Sequence, residues 1–179
     1  MLELLNPVIA AIRKDSDFEN AVQSRANLIF MLKADVMTIG KLVSNKKDKK
    51  VFVHIDMAEG VGKDRKGIEL LKSMGVDGII TTKNHLVYNA KEQGLYTVQR
   101  FFIIDSASVN TALESVNNTK PDFAEVLPAS LPKIIKKFTE QTNVPIIAGG
   151  LLEEKADIIQ ALSAGAQAVS TTRKESWDM

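Results

Sequence analysis

The residues best placed to do chemistry sit at the ends of short apolar runs. In VPIIAGG, Gly149 and Gly150 close a β-branched run; in GAQAVSTT, Ser170, Thr171 and Thr172 close another. Two glycines let the backbone approach a ligand closely, and three small hydroxyls beside them supply donors. Amides and hydroxyls converging on one point make an anion site that needs no lysine. The other runs also end in charged or hydrogen-bonding side chains: Arg13, Lys33, His54 with Asp56 and Glu59, Thr81-Thr82-Lys83, Gln99-Arg100, and Glu125. Charged groups are costly to bury unless paired, so this set has two readings. Arg13, Lys33, Lys83 and Arg100 could neutralise Asp56, Glu59 and Glu125 in a structural ring. Otherwise they line a polar pocket for a small anion with hydroxyls, in which cations and amides take a phosphate and carboxylates take the hydroxyl groups.

Other chemistry is thinly represented. Alternation along VFVHI puts His54 on one face with Phe52 and Asp56, which suits a buried hydrogen-bonding histidine better than an acid–base group. His85 opens a helix and reads as a surface or capping residue. Asp56 and Glu59 offer oxygen ligands of the kind that hold Mg²⁺ together with a phosphate, or an ion pair to Lys33 or Arg100, and the metal question stays open. No Ser/His/Asp order suggests a triad, and no G-x-x-x-x-G-K-[ST] loop is present. The lysines of 46–50 read as a solvated connector, and Lys133, Lys136 and Lys137 form a second basic cluster. Neither has the interleaved aromatics of a single-strand stacking platform.

The elements that must position these residues are short buried strands alternating with helices. Strands are expected over Pro7–Arg13, Asn27–Leu32, Val51–Ile55, Gly78–Thr82, Leu95–Arg100, Asp122–Leu127, Val144–Ala148 and Gln167–Val169. Between them lie amphipathic stretches. Asp15–Asp17 should cap a helix reaching Ser24, 64–74 should turn Ile68, Leu70 and Leu71 inward, and 151–164 should bury Leu152, Ala156, Ile158, Ile159 and Leu162. The tail after Arg173 is expected to form about one helical turn packed down by Trp177. Eight such units of roughly 20–25 residues argue for a parallel α/β fold. A compact (β/α)₈ TIM-type barrel with short helices and loops is preferred over an open doubly wound sheet, as one domain spanning 1–179. The chain is shorter than the about 200–250 residues usual for that barrel, so its connections must be minimal.

Composition excludes several classes. Of 179 residues, 45% are hydrophobic, enough for a sizeable core. Lys and Arg number 23 against 22 acids, so the net charge of +1 gives no support to a globally basic nucleic-acid binder. The absence of cysteine removes disulfides, thiolate metal sites and a Cys nucleophile. No basic, apolar leader opens the chain, and no apolar run approaches the ~18 residues of a membrane span. A soluble, cytoplasmic protein with no membrane partner is expected.

The runs VFVHIDMAEG, DGIITTK, TVQRFFIIDS, PDFAEVLPA, PKII, VPIIAGG and GAQAVSTT, in this order, resemble the glycerol uptake operon antiterminator regulatory protein family. The resemblance covers essentially the whole chain. It implies a compact barrel that senses glycerol 3-phosphate as effector, with no cofactor. Such a barrel binds the leader mRNA of glycerol-utilisation operons and prevents premature transcription termination, without catalysis. Carried over by motif, the phosphate falls on Gly149, Gly150, Ser170 and Thr171. The polar strand ends typical of the family fall on Arg13, Asp56, Glu59, Lys83, Arg100 and Glu125, and Lys33 joins them by position. The residues by themselves also fit a small phosphate-binding barrel enzyme, isomerase or aldolase in type, acting on a triose phosphate, or a scaffold whose polar ring is paired internally. The oligomeric state is left open between monomer and homo-oligomer.

Overall fold

Strands covered on both faces are apolar at most positions, and here the buried polar exceptions lie in β5, at Thr97, Gln99 and Arg100, and toward the C-terminal ends of the other strands. The eight are β1 (Val8–Ile12), β2 (Leu28–Met31), β3 (Lys50–His54), β4 (Gly78–Thr81), β5 (Tyr96–Phe102), β6 (Phe123–Leu127), β7 (Ile146–Gly149) and β8 (Ala168–Thr171). In the computed structural model, which describes residues 4–179, each strand pairs in parallel with its neighbours in the chain, and β8 closes on β1 with Ala10 opposite Thr171. The result is a closed (β/α)₈-type barrel, and the open doubly wound sheet is ruled out. Met1, Leu2 and Glu3, included in the expectation of one domain over 1–179, lie outside the described residues.

Alternation sorts the strand side chains into two cores. Ile9, Ala11, Leu28, Phe30, Phe52, Ile80, Val98, Phe123, Ile147 and Ala168 fill the barrel interior. Their neighbours, among them Ile12, Ile29, Val53, Ile79, Val126 and Val169, pack outward against the helices. Phe30, Phe52 and Tyr96 stack in series, with ring centroids 5.9 Å apart at each step. Gly78 makes this possible, because a Cβ there would lie 2.7 Å from the Phe52 ring and 2.8 Å from the Tyr96 carbonyl.

The helices among the described residues are α1 (Phe18–Gln23), α2 (Val36–Ser44), α3 (Arg65–Ser73), α4 (Asn84–Glu92), α5 (Ser106–Thr119), α6 (Pro132–Gln141) and α7 (Lys155–Ser163). No helix is long and apolar enough to cross a membrane among them. Asp35, Asp64 and Asp105 cap α2, α3 and α5 through their side chains. Three expectations need correction. Asp15–Asp17 form a 3₁₀ turn with no side-chain cap, and Asp17 instead pairs with Lys174. The last helix starts at Lys155, because Glu154 and Asp157 form a reciprocal capping box that leaves 151–153 as loop. Leu70, Ala156 and Ile159 are exposed, so α3 and α7 bury narrower stripes than the hydropathy pattern suggests.

The lysines near 46–50 are not a solvated connector. Lys46 and Lys50 pair with Asp77, which also accepts from the Val51 amide. Lys46 donates to the Gly75 carbonyl, Lys49 to Ser24, Lys72 to Gln93, and Lys91 to Thr119 and Lys120. Each of these carbonyls ends a helix or lies just past its end, where orphan acceptors and the negative dipole end attract a cation. Around the base of the barrel, lysines therefore latch one αβ unit to the next.

Among the described residues no eighth α-helix follows β8. The tail makes a 3₁₀ turn, Lys174–Ser176, and then inserts Trp177, which is 2% exposed and donates its Nε1–H to the Thr171 carbonyl at 2.8 Å. Arg25 N–H donates to Asp178, and Asn6 donates to the Met179 carbonyl. Trp177→Ala should cost about 3–5 kcal/mol in urea unfolding, the usual range for a buried tryptophan. A loss below about 1 kcal/mol would show that the tail is an appendage and not part of the core.

Candidate functional site

Period-two alternation carries the interior column of each strand upward into polar side chains at the C-terminal mouth: Phe52 is followed by His54, Val98 by Arg100, Phe123 by Glu125, Ile147 by Gly149, and Ala168 by Ser170. Glu125 is fully buried. One of its oxygens accepts from Arg100 Nε at 2.6 Å, the residue directly opposite it in the β5–β6 register. The other accepts from Ser170 Oγ, also at 2.6 Å. Ser170 lies two strands from Glu125, and β7 runs between them. The bond passes over Gly149, where a Cβ would sit 2.6 Å from Ser170 Oγ and 2.8 Å from Glu125 Oε1. Gly149 is therefore a space requirement: only a residue without a side chain lets β6 and β8 join across β7.

Arg100 continues the chain of contacts. Its Nη1 lies 3.5 Å from His54 Nδ1, and His54 Nε2 is buried without a hydrogen-bond partner, 3.8 Å from Asp56 Oδ2. Strand alternation predicts His54 and Asp56 on one face. Instead β3 stops at His54, and a 3₁₀ turn (Ile55–Met57) swings Asp56 onto the end of β4. There it accepts from Thr81 Oγ1 at 2.6 Å and from Thr82 N and Oγ1, both at 2.8 Å. Burial raises the Asp56 pKa, but the neighbouring His54 ring and the threonine donors outweigh it and hold the carboxyl well below the ordinary carboxylate range.

Above this layer opens a cavity of about 430 Å³. Arg13, Lys33, Arg100, Glu125, Gly150, Ser170 and Thr171 line it, together with His54, Thr172, Met57, Phe102 and Leu151. Gly149, Asp56, Glu59 and Lys83 do not, and Gly149, expected against the phosphate, lies below the cavity under the Ser170–Glu125 bond. Asp56 is held by the threonines, Glu59 lies exposed in a two-residue parallel ladder (Ala34–Asp35 with Ala58–Glu59), and Lys83 is exposed in the turn before α4. The self-neutralising ring is not formed. Only Arg100 and Glu125 pair, while the side chains of Arg13 and Lys33 have no hydrogen bond or ion pair among the described residues. Three cations against one carboxylate leave the cavity an excess of two positive charges, matching a phosphate monoester dianion. No cluster of three or more His, Asp or Glu side chains that could hold a metal ion gathers among the described residues.

Sequence reasoning missed the rim residues. Phe102 is there because β5 runs two residues beyond Arg100, and Leu151 because the loop before α7 is longer than the periodicity implied.

The sequence profile described as "Glycerol-3-phosphate responsive antiterminator" matches residues 8–177. The chain belongs to this family. Its relatives include the glycerol uptake operon antiterminator regulatory protein of Listeria monocytogenes, 32% identical, with a TM-score of 0.92 over 98% of both chains. A glycerol uptake operon antiterminator-related protein of Thermotoga maritima is 30% identical, with a TM-score of 0.87 over 97% of this chain and 99% of that one. The uncharacterized protein YgcP of Escherichia coli is 35% identical over 100% of this chain and 96% of its own length. An aldolase, QR15, shares the barrel with a TM-score of 0.79 over 97% of this chain and 93% of its own, at 11% identity, a likeness of fold alone.

In this antiterminator-family barrel the buried pair and the held carboxylate give two measurable properties. Arg100→Ala leaves the Glu125 charge uncompensated and should destabilise the fold by about 3–5 kcal/mol, read from urea unfolding. A loss under about 1 kcal/mol would show that the pair does not hold the fold together. Because the folded pKa of Asp56 is depressed, its stabilisation is present above the unfolded value of about 3.9 and is lost as pH falls toward the folded value. The stability gap between wild type and Asp56→Asn should thus be widest above pH ~5 and narrow below pH ~4. A gap that is flat with pH would contradict the assignment.

Proposed function

We propose that this protein is a glycerol 3-phosphate sensor whose barrel cavity binds the ligand and whose loaded form binds the leader mRNA of glycerol-utilisation operons, preventing premature termination. The observation that carries the ligand is the unpaired Arg13 and Lys33 beside the Thr171 and Thr172 hydroxyls, around a cavity with excess positive charge. In this reading the phosphate lies between the loops after β7 and β8, against Gly150, Ser170 and Thr171, with Arg13 and Lys33 over it. The glycerol hydroxyls reach the Arg100–Glu125 layer, where a guanidinium and a carboxylate offer donors and acceptors. Family membership supports responsiveness to glycerol 3-phosphate and an antitermination role, and it is the ground for the RNA step.

One observation favours a second reading, a triose-phosphate enzyme. His54 Nε2 is a buried ring nitrogen without a partner in the cavity wall. Against it, both carboxylates near the cavity are committed to other donors: Glu125 to Arg100 and Ser170, Asp56 to two threonines. Neither is free to take a substrate proton.

Calorimetric titration with glycerol 3-phosphate should give saturable 1:1 binding. Arg13→Ala and Lys33→Ala should each weaken it at least about tenfold, since each removes a charge-assisted contact. Leader RNA should be retained more tightly with ligand than without. Unchanged RNA retention together with turnover of triose phosphates would replace the sensor reading by the enzyme one.

A further inference from the structure

A second concavity, about 660 Å³, lies beside the cavity mouth between the end of β5 and the first turns of α4 and α5. Its walls carry Asn84, Phe102, Ile104 and Thr111, and it shares Arg100 and Phe102 with the ligand cavity. Phe102 is 58% exposed and Ile104 is 86% exposed, so the groove presents apolar surface to solvent.

The polar wall is built, not incidental. Asn84 Oδ1 accepts from Gln99 Nε2 at 2.7 Å and from Ser115 Oγ at 2.9 Å. Gln99 is itself fully buried, and its own oxygen accepts from Thr119. This chain fixes which way the Asn84 amide faces. Its oxygen is taken by these two donors, and its Nδ2 hydrogens are unpartnered among the described residues. Lys83, immediately before Asn84, is exposed and unpaired. The lysines at the base of the barrel are not comparable, because Lys46, Lys49, Lys50, Lys72 and Lys91 are engaged by helix-end carbonyls or Asp77.

An aromatic face and an amide donor in one groove, with an exposed cation at the preceding position just outside its lining, are parts with which proteins hold an unstacked base and its phosphate. We propose that this groove receives a nucleobase of single-stranded RNA, its ring against Phe102, a carbonyl acceptor on its edge against Asn84 Nδ2, and a flanking phosphate on Lys83. The proposal rests on the RNA-binding reading above and adds the docking place. It also supplies a route for coupling, since Arg100 and Phe102 form a wall common to groove and ligand cavity. A ligand that orders that wall favours the base-binding form by its differential affinity.

The test is fluorescence anisotropy of the full chain with its operon leader RNA, in saturating glycerol 3-phosphate and at fixed salt. Asn84→Leu removes the donor. Ala107→Trp, on the groove wall and outside the ligand cavity, adds bulk to the groove. Both should weaken RNA binding at least tenfold while calorimetric affinity for glycerol 3-phosphate stays at the wild-type value. Lys83→Ala should weaken binding and lower the slope of log affinity against log salt by about one. Lys47→Ala, at the base, should leave RNA affinity unchanged. Wild-type RNA affinity in Asn84→Leu and Ala107→Trp would overturn the docking site while leaving the sensor reading intact. A wild-type protein that retains no leader RNA would overturn the RNA reading itself. If Ala107→Trp leaves RNA affinity intact but abolishes capture of a partner protein, the groove is a protein-docking surface and the nucleobase assignment is wrong.

Discussion

Everything at the mouth of this barrel depends on one buried carboxylate. Glu125 has no contact with solvent, and an isolated charge there would cost several kcal/mol after relaxation. Arg100 supplies the opposite charge and Ser170 a second donor, so both oxygens are occupied. The consequences spread outward. Ser170 reaches Glu125 only because Gly149 has no side chain, so a glycine in β7 is dictated by a bond between β6 and β8. Arg100, held by its Nε, is placed with Nη1 toward His54 and the cavity. A leucine-sized apolar replacement for the pair could serve stability equally well, as buried ion pairs generally do not outperform good packing. It would also close the cavity floor with hydrocarbon. The pair is better understood as the base of a polar site than as a stabilising device.

The opposite end of the barrel has a different task. With only 179 residues, the helices are short and cannot each bury a broad stripe. Stability is recovered at the base by side chains tying one unit to the next. Asp77 draws in Lys46, Lys50 and the Val51 amide, and Asp122 accepts from the Thr97 amide and hydroxyl. Lysines donate to the terminal carbonyls of α1, α3, α4 and α5. Burial raises the Asp77 pKa, yet its lysine and amide donors prevail and keep the carboxyl below its ordinary value, as expected for a charge accepting several donors at once. At the last unit the tail takes over, with Trp177 filling core volume next to the β8 strand that carries Ser170 and Thr171. This division, structure at the N-terminal ends of the strands and function at the C-terminal ends, is the general rule for such barrels.

Much of this was legible because two periodicities are strict. Strands buried on both faces read as apolar runs, and glycines close α3, α4 and α7 shortly before the next strand begins. The interior column could be counted by twos to Arg100, Glu125 and Ser170. What escaped the sequence was non-local or depended on where a strand ends. Asp56 follows His54 by two, and only the 3₁₀ turn at Ile55–Met57 separates their directions. The start of α7 was set by a reciprocal pair, Glu154 with Asp157, that outweighed the apolar residues upstream. The role of Gly149 as clearance for a bond between other strands, and that of Lys46 to Lys91 as latches, require knowing which helix end is adjacent.

The geometry also bears on whether such a pocket converts its ligand or reports it. A barrel enzyme working by proton transfer needs a carboxylate or imidazole whose lone pair is free at the reacting atom. Here the strand ends tie both nearby carboxylates to fixed donors, which anchors their positions. Fixed groups of this kind suit recognition, because they present donors and acceptors without reorganisation. For recognition to become regulation, the ligand must favour one arrangement of something that also touches the partner, and by no more than its differential affinity for that arrangement. In the proposed reading Arg100 is that element. It is bonded to the cavity floor through Glu125, is in contact with His54 on β3, and also lines the neighbouring groove.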